Sequence, residues 1–244
     1  LVGAFEVNPP IIVAWLWQQN FRRRYSTHHA NVLQSMVRRR YPGEHRFVLI
    51  TDSPDGFEGE TVPIWKDHSQ LPHISGGFSQ LPSCYRRLKL FSREITDILG
   101  IEPGTRIISL DLDVVLLRDM SPLWDRPESF VGWLRKGTYV DHCFNGSMWM
   151  LRAGTHPEVW QDFDPLTSPK QAFDIGYRGS DQAWMSYKLA GSAHWSKDDG
   201  VVSFSRDLKL GKVPIAKHVR FVAFHGIRKP WDQRKIKWVR NNWR

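Results

Sequence analysis

Asp111 and Asp113 are the side chains of this chain best placed to do chemistry. They interrupt an apolar run of strand character, Arg106-Ile107-Ile108-Ser109-Leu110-Asp111-Leu112-Asp113-Val114-Val115-Leu116-Leu117. In an extended chain residues i and i+2 project to the same face. Both carboxylates are therefore expected on one side, with Leu112 turned into the core. Two ionised carboxyls side by side repel, and a divalent cation beside them removes the repulsion. Such an ion takes oxygen ligands and keeps positions for phosphate oxygens.

Three downstream segments carry further candidate chemistry. Phe144-Asn145-Gly146-Ser147 joins a permissive turn to a strand, and Gly179-Ser180-Asp181-Gln182 opens a helix with Ser180 as its natural N-cap. Phe224-His225-Gly226-Ile227-Arg228-Lys229-Pro230-Trp231 places an imidazole, a flexible backbone position and an ammonium in one short loop. His225 would complete a metal set with the two Asp. Gly226 lets backbone amides approach a diphosphate, and Lys229 brings a compact positive charge. Asp111, Asp113 and Val115 also match the D-x-D-x-V pattern of haloacid-dehalogenase-type phosphatases, where the first Asp is a nucleophile. That pattern normally opens its domain, whereas here more than a hundred residues come first.

The elements that must position these groups are legible as an alternation. Ile11 to Leu16 reads as a buried strand. Ser26 or Thr27 caps a helix running to about Arg40, with Val32, Leu33, Met36 and Val37 on its buried side. Strands follow at Arg46 to Thr51 and Thr61 to Ile64, then a glycine-bearing loop from Pro72 to Pro82. Ser83 precedes an amphipathic helix carrying Leu88, Phe91, Ile95, Ile98 and Leu99, which Gly100 ends. After the carboxylate-bearing strand come strands at Phe130 to Leu134 and Ser147 to Leu151. Helices are expected near Pro157 to Phe163 and from Asp181 to Leu189, and a late strand from Val219 to Phe224. Strands alternating with helices predict an α/β fold with a mainly parallel sheet and a mixed region after it. One domain is expected over residues 1–231, followed by a basic, Trp-containing tail over 232–244.

Composition narrows the partners. The net charge is +9, with arginine clusters at Arg22-Arg23-Arg24, Arg38-Arg39-Arg40 and Arg86-Arg87. A basic C-terminal stretch is interleaved with Trp231, Trp238 and Trp243. Such charge favours an anionic partner: nucleic acid, an acidic membrane surface or a phosphorylated substrate. No apolar run approaches a membrane span, and the first residues have no export-signal pattern, so a cytoplasmic protein without a transmembrane segment is expected. Cys84 and Cys143 lie in no C-x-x-C or zinc spacing and read as free thiols.

Taken in order, Tyr85-x-Arg87-Leu88, Asp111-x-Asp113, Phe144-Asn145-Gly146, Asp181-Gln182 and His225-Gly226-x-x-Lys229-Pro230-Trp231 resemble nucleotide-sugar glycosyltransferases of the GT-A fold. The similarity is to glycosyltransferase family eight, which includes glycogenin and lipopolysaccharide galactosyltransferases. The resemblance implies a single Rossmann-like domain and a nucleoside-diphosphate sugar donor, with UDP-sugar the expected one. It implies Mn²⁺ or Mg²⁺ on Asp111, Asp113 and His225, with Asp111 also near the nucleotide ribose. Gly226 and Lys229 would contact the diphosphate, Arg87 the donor sugar or its phosphates, and Asn145 and Asp181 sugar hydroxyls. Gln182 would lie beside the anomeric carbon, and the sugar would be transferred with retention of configuration. The family places a His three residues before the Gly, whereas His225 immediately precedes Gly226. Where the family often carries an Asp after the first strand, this chain has Trp15-Leu16-Trp17-Gln18.

Each residue has a plainer reading. Arg87 could pair at the surface with Glu94 or Asp97, Asn145 could be a turn residue, Asp181 a first-turn helix acid and His225 a hydrogen-bonded core histidine. For the acceptor, the spread of arginines into the N-terminal half favours a hydroxylated base in DNA, flipped into the site. A lipopolysaccharide or other cell-surface glycan, reached by peripheral contact of the Trp- and Lys-rich C-terminus with a membrane, is the alternative.

Overall fold

The computed structural model describes residues 8–18, 25–72, 84–134 and 143–244. The expectations placed on Arg22-Arg23-Arg24, on Ser83 and on most of the 72–82 loop lie outside these residues. In chain order the elements are β1 (Ile11–Leu16), α1 (Thr27–Arg40), β2 (Arg46–Thr51), β3 (Glu60–Pro63), a 3-10 segment (Cys84–Phe91) and α2 (Ile95–Leu99). Next come β4 (Arg106–Leu110), β5 (Val114–Leu116), α3 (Ser121–Trp124), β6 (Phe130–Leu134), β7 (Phe144–Arg152), α4 (Glu158–Gln161), α5 (Ser168–Ile175) and α6 (Asp181–Lys188). The chain ends with β8 (Ala193–Trp195), β9 (Val201–Ser203), β10 (Phe221–Ala223), a 3-10 turn (Pro230–Gln233) and α7 (Lys237–Asn242).

Seven strands form one sheet in the order β3-β2-β1-β4-β7-β6-β8, and β5-β10-β9 form a second. The β3-β2-β1-β4 half is parallel, β7 runs antiparallel to β4 and β6, and β8 is parallel to β6. This is the mixed, mainly parallel α/β sheet that the alternation predicted. β1 is buried along its whole length, as a central strand covered on both faces must be. Its side chains alternate between two cores: Ile12, Ala14 and Leu16 join α1, while Ile11, Val13 and Trp15 join the 84–91 segment and α6.

The apolar run that carries the two Asp is not one strand. β4 belongs to the large sheet and β5 to the small one. The Asp111 N–H donates to the Ser147 carbonyl (3.1 Å) on the large-sheet side, and the Asp113 carbonyl accepts the Phe224 N–H (2.9 Å) on the small-sheet side. The two-residue alternation therefore does not place the carboxylates; the crossing between sheets does. Leu112 is buried as expected.

The helix expected after Ser83 is likewise divided. Tyr85, Leu88 and Phe91 recur every third residue, which suits 3-10 winding, where i and i+3 eclipse. A turn follows before α2, which ends at Gly100 in the left-handed conformation (φ 57°).

Residues 232–244, expected as a tail, fold back onto the domain. Val239 and Trp243 of this segment are buried in the same core as α1 and β5, and Trp243 meets the rings of Trp231, His28 and His29. A helix with one apolar face against a core is held by that burial rather than by its propensity. Trp243→Ala is expected to cost about 3–5 kcal/mol of unfolding free energy. An unchanged denaturant midpoint would show that the segment is not part of the domain.

Candidate functional site

The order β3-β2-β1-β4 reverses chain direction of build at β1, and ligands of open α/β sheets bind where strand order reverses, beyond the carboxyl ends of the strands. Asp111 follows β4 at that edge, and Trp15 to Gln18 follow β1. The Trp15 indole N–H donates to Ser109 Oγ (2.9 Å), and the Gln18 N–H meets the Asp52 carboxylate (3.2 Å). The position after β1 is thus walled by tryptophan, with the nearest acidic group supplied from the end of β2.

The side chain at the centre is Arg87. It is 3 % exposed, and its Nε donates to Asp181 Oδ2 and its Nη1 to Asp111 Oδ1, both at 2.7 Å. Nη1 also donates to the Gly146 carbonyl (3.2 Å). The surface pairing with Glu94 or Asp97 is therefore not the one formed; Glu94 pairs with Lys89. Burial pulls the Arg87 guanidinium down, but the charges of Asp181 and Asp111 outweigh it and hold the group well above its ordinary value.

Around this bridge the start of α6 meets residues 144–147, which are not the expected turn but the first residues of β7, paired with the end of β6. The Gly146 N–H donates to Gln182 Oε1 (3.0 Å), and Gln182 Nε2 donates to the Arg178 carbonyl (2.9 Å). A Cβ at residue 146 would lie 2.6 Å from Arg87 Nη2, so only glycine fits. Asn145 Oδ1 accepts the Ser147 N–H (2.9 Å), a local bond within the first residues of β7 rather than in a turn. Ser180 stands at the N-cap position of α6 without a capping bond; its hydroxyl donates to Asp181 instead (3.1 Å). Asp181, 1 % exposed, is thereby more than a first-turn helix acid.

A second group gathers on Asp113. The Lys229 ammonium bonds to Asp113 Oδ2, and the Tyr25 hydroxyl donates to the same oxygen at 3.1 Å. Tyr25 was not legible as a site residue: it merely precedes the cap of α1, and no spacing links it to a position 88 residues on. Burial, followed by the charges of Asp113 and Asp111, raises its phenol far above the ordinary range, so it stays a donor. Gly226 has φ 91° and opens to solvent within the loop leading to Lys229.

His225 is not brought to the two Asp. Its Nε2 lies 2.8 Å from Ser203 Oγ, and its ring stands 6.3 Å from that of Trp133. Among the described residues no three His, Cys, Asp or Glu side chains form a metal-holding group. The residues present still suit a hard divalent ion of another kind. Asp111 and Asp113 feel each other's charge, and two carboxylates are enough for an ion that completes its shell with water and phosphate oxygens. Cys84 and Cys143 are free thiols, and desolvation pushes Cys84 up to about 12.

Two predictions follow from the bridge. Arg87→Met strands the buried Asp181 carboxylate and is expected to cost about 3–5 kcal/mol in denaturant unfolding; a loss below about 1 kcal/mol would refute the bridge as a structural centre. Burial raises the Asp111 carboxyl to about 6, with Arg87 pulling it down and Asp113 pushing it up. The folded chain then keeps a proton that the unfolded chain releases near pH 3.9, so stability falls as pH rises from about 4 to about 6. With the side chain 32 % exposed, the fall should be about 1–2 kcal/mol. Measured with a chelator present, Asp111→Asn should flatten that slope; an identical slope in both proteins would assign it elsewhere.

No protein-family model matches this sequence, and no curated protein matches it. Solved structures do. The galactosyltransferase LgtC, determined with donor and acceptor sugar analogues, is 14% identical with a TM-score of 0.60, covering 95% of this chain and 96% of that one. The glycosyltransferase GlyE of Streptococcus pneumoniae TIGR4 is 13% identical with a TM-score of 0.56, covering 96% of this chain and 62% of that one. The bifunctional WbbM is 13% identical with a TM-score of 0.55, and this chain spans 51% of its length. The chain has the fold of these glycosyltransferases, the GT-A arrangement that its ordered motifs imply.

Proposed function

We propose that this protein transfers a sugar from a nucleoside-diphosphate sugar to an acceptor hydroxyl. The observation that carries the reading is the convergence of Asp111, Asp181 and the Gly146 carbonyl on Arg87, with Gln182 bonded to the Gly146 N–H, at the reversal point of a sheet shared with glycosyltransferases. Mn²⁺ or Mg²⁺ held by Asp111 and Asp113 would supply Lewis-acid stabilisation of the charge that grows on the departing diphosphate. Lys229 lies on the same side and pairs with phosphate oxygens as a point charge, and Gly226 admits them to backbone amides. UDP is the nucleotide the resemblance favours, with Asp111 near its ribose.

Retention with front-face attack suits the arrangement better than a covalent intermediate. A nucleophilic carboxylate must reach the anomeric carbon, and Asp181 is 1 % exposed with an oxygen committed to Arg87. Gln182 is then the candidate to face that carbon, by releasing the Gly146 N–H or the Arg178 carbonyl that its amide now holds. LgtC has also been solved as an active-site mutant in which glutamine was replaced by glutamate. Asp111 also has one oxygen on Arg87, and the fold shared with glycosyltransferases favours a metal-holding role for it over that of a phosphatase nucleophile.

For the acceptor, a glycan hydroxyl is favoured over a DNA base. Arg86 and Arg87, counted toward a phosphate-gripping surface, are buried at 4 % and 3 % exposure, and Arg39 and Arg40 bond to Asn242. A cavity beside the site is lined by Asn145, Ser203, Asp207 and His225 over the edge of the buried Trp133, with Lys197 and Arg206 also on its wall, and its mixed polar groups suit sugar hydroxyls. Among the described residues no helix is long and apolar enough to cross a membrane.

A thermal-shift panel of nucleoside diphosphates and their sugars, with and without Mn²⁺, tests the donor end. A ligand at a hundred times its dissociation constant should add about 2.7 kcal/mol of stability, and Asp113→Asn should abolish the Mn²⁺-dependent part. A flat panel would sink the transferase reading, and competition by duplex DNA but not by oligosaccharide would reverse the acceptor assignment.

A further inference from the structure

Lys229 and Asp113 are both buried, and their contact is direct. The ammonium lies 3.5 Å from the Phe224 carbonyl and 5.5 Å from the Tyr25 ring, so it sits in a formed pocket. Asp111, meanwhile, is taken by Arg87. Within this cluster three carboxylates (Asp111, Asp113 and Asp181) face two cations, leaving one negative charge. A divalent ion arriving alone would turn that surplus positive and would meet an ammonium already paired with the carboxylate it needs, in a site where charges are weakly screened. A diphosphate arriving with it cancels the added charge and offers Lys229 a new anion.

The loop is built for such an exchange. Gly226 to Arg228 are exposed, Gly226 holds a positive φ, and nothing lies within 4 Å of where its Cβ would be. The far side of Lys229 is fixed, because the Trp231 ring lies 4.2 Å from His29, 5.6 Å from Tyr25 and 5.7 Å from Trp243. Lys229 can therefore change partner while its anchor stays in place.

Resting on the transferase reading above, we propose that Lys229 is the resident counter-ion of Asp113, and that a divalent cation binds at Asp113 only when a diphosphate draws the ammonium away. The protein then takes its cation and its diphosphate as a pair, and Lys229 prevents loading by the cation alone. Tyr25, which keeps its bond to Asp113 Oδ2 through the exchange, holds that carboxylate in place.

The experiment measures Mn²⁺ binding to the full chain by electron paramagnetic resonance at pH 7.5, with Mn²⁺ alone and with inorganic pyrophosphate as the nucleotide-free diphosphate. The wild type should bind Mn²⁺ weakly alone and roughly tenfold or more tightly with pyrophosphate, a coupling within the usual range. Lys229→Met should bind Mn²⁺ alone roughly tenfold more tightly than wild type and lose most of that coupling. Asp113→Asn in the same background should remove the site, which separates protein-bound ion from ion complexed in solution. If Lys229→Met does not fold, Lys229→Gln, which keeps a polar head in the pocket, decides. Equal Mn²⁺ affinity in wild type and variant overturns the counter-ion role and leaves the transferase reading intact. No Mn²⁺ binding by any protein, with or without pyrophosphate, overturns both.

Discussion

The buried guanidinium of Arg87 is the constraint on which the rest of the site depends. It draws the end of β4, the first residues of β7 and the start of α6 to one point, through Asp111, the Gly146 carbonyl and Asp181. A lysine could not do this, since only the planar fork offers several fixed donors at once. The arrangement also explains two neighbouring residues. Gly146 is required because any side chain there would collide with the guanidinium, and Gln182 can accept the Gly146 N–H only because the backbone approaches so closely. Burying the charges of Arg87 and Asp181 is costly unless each is paired and hydrogen-bonded, and here each is, with the partly exposed Asp111 as the second anion.

The second organising feature is the passage between sheets. β4 and β5 are separated by three residues, yet they belong to different sheets. Asp111 is fixed by the large sheet through Ser147, and Asp113 by the small sheet through Phe224. The carboxylates are consequently served by different partners: Arg87 for the first, Lys229 and Tyr25 for the second. Any ligand between them is gripped by both layers of the protein, and the β10 loop that carries Gly226 and Lys229 follows directly from the small sheet.

The C-terminal segment supports that loop from behind. Trp231, Trp243, His29 and Tyr25 form one aromatic group that ties the 3-10 turn after Lys229 to the start of α1. The tryptophans interleaved with basic residues are thus packing residues at 231 and 243, with the charged side chains on the outer face of the same segment. This division is the ordinary one for an amphipathic helix, and it assigns the aromatic content to the core rather than to a partner.

What the sequence determined by itself was the element order and the residues that gather around Arg87, though not Tyr25 or the place of His225. Apolar runs located β1, β2 and β6, helical spacing located α1, and Ser180 and Gly100 marked the start of α6 and the end of α2, because burial and capping are local demands. The motif residues 87, 111, 181 and 182 were identifiable by type and order, and they converge. What only the tertiary structure decided was partnership. That Asp111 answers to Arg87, that Asp113 answers to Lys229 and Tyr25, and that His225 turns to Ser203 depend on which sheet each flanking strand joins. An apolar run looks the same whether it stays in one sheet or crosses to another, since both cores reward the same burial. Contacts between residues 94 or 116 positions apart leave no local period to read.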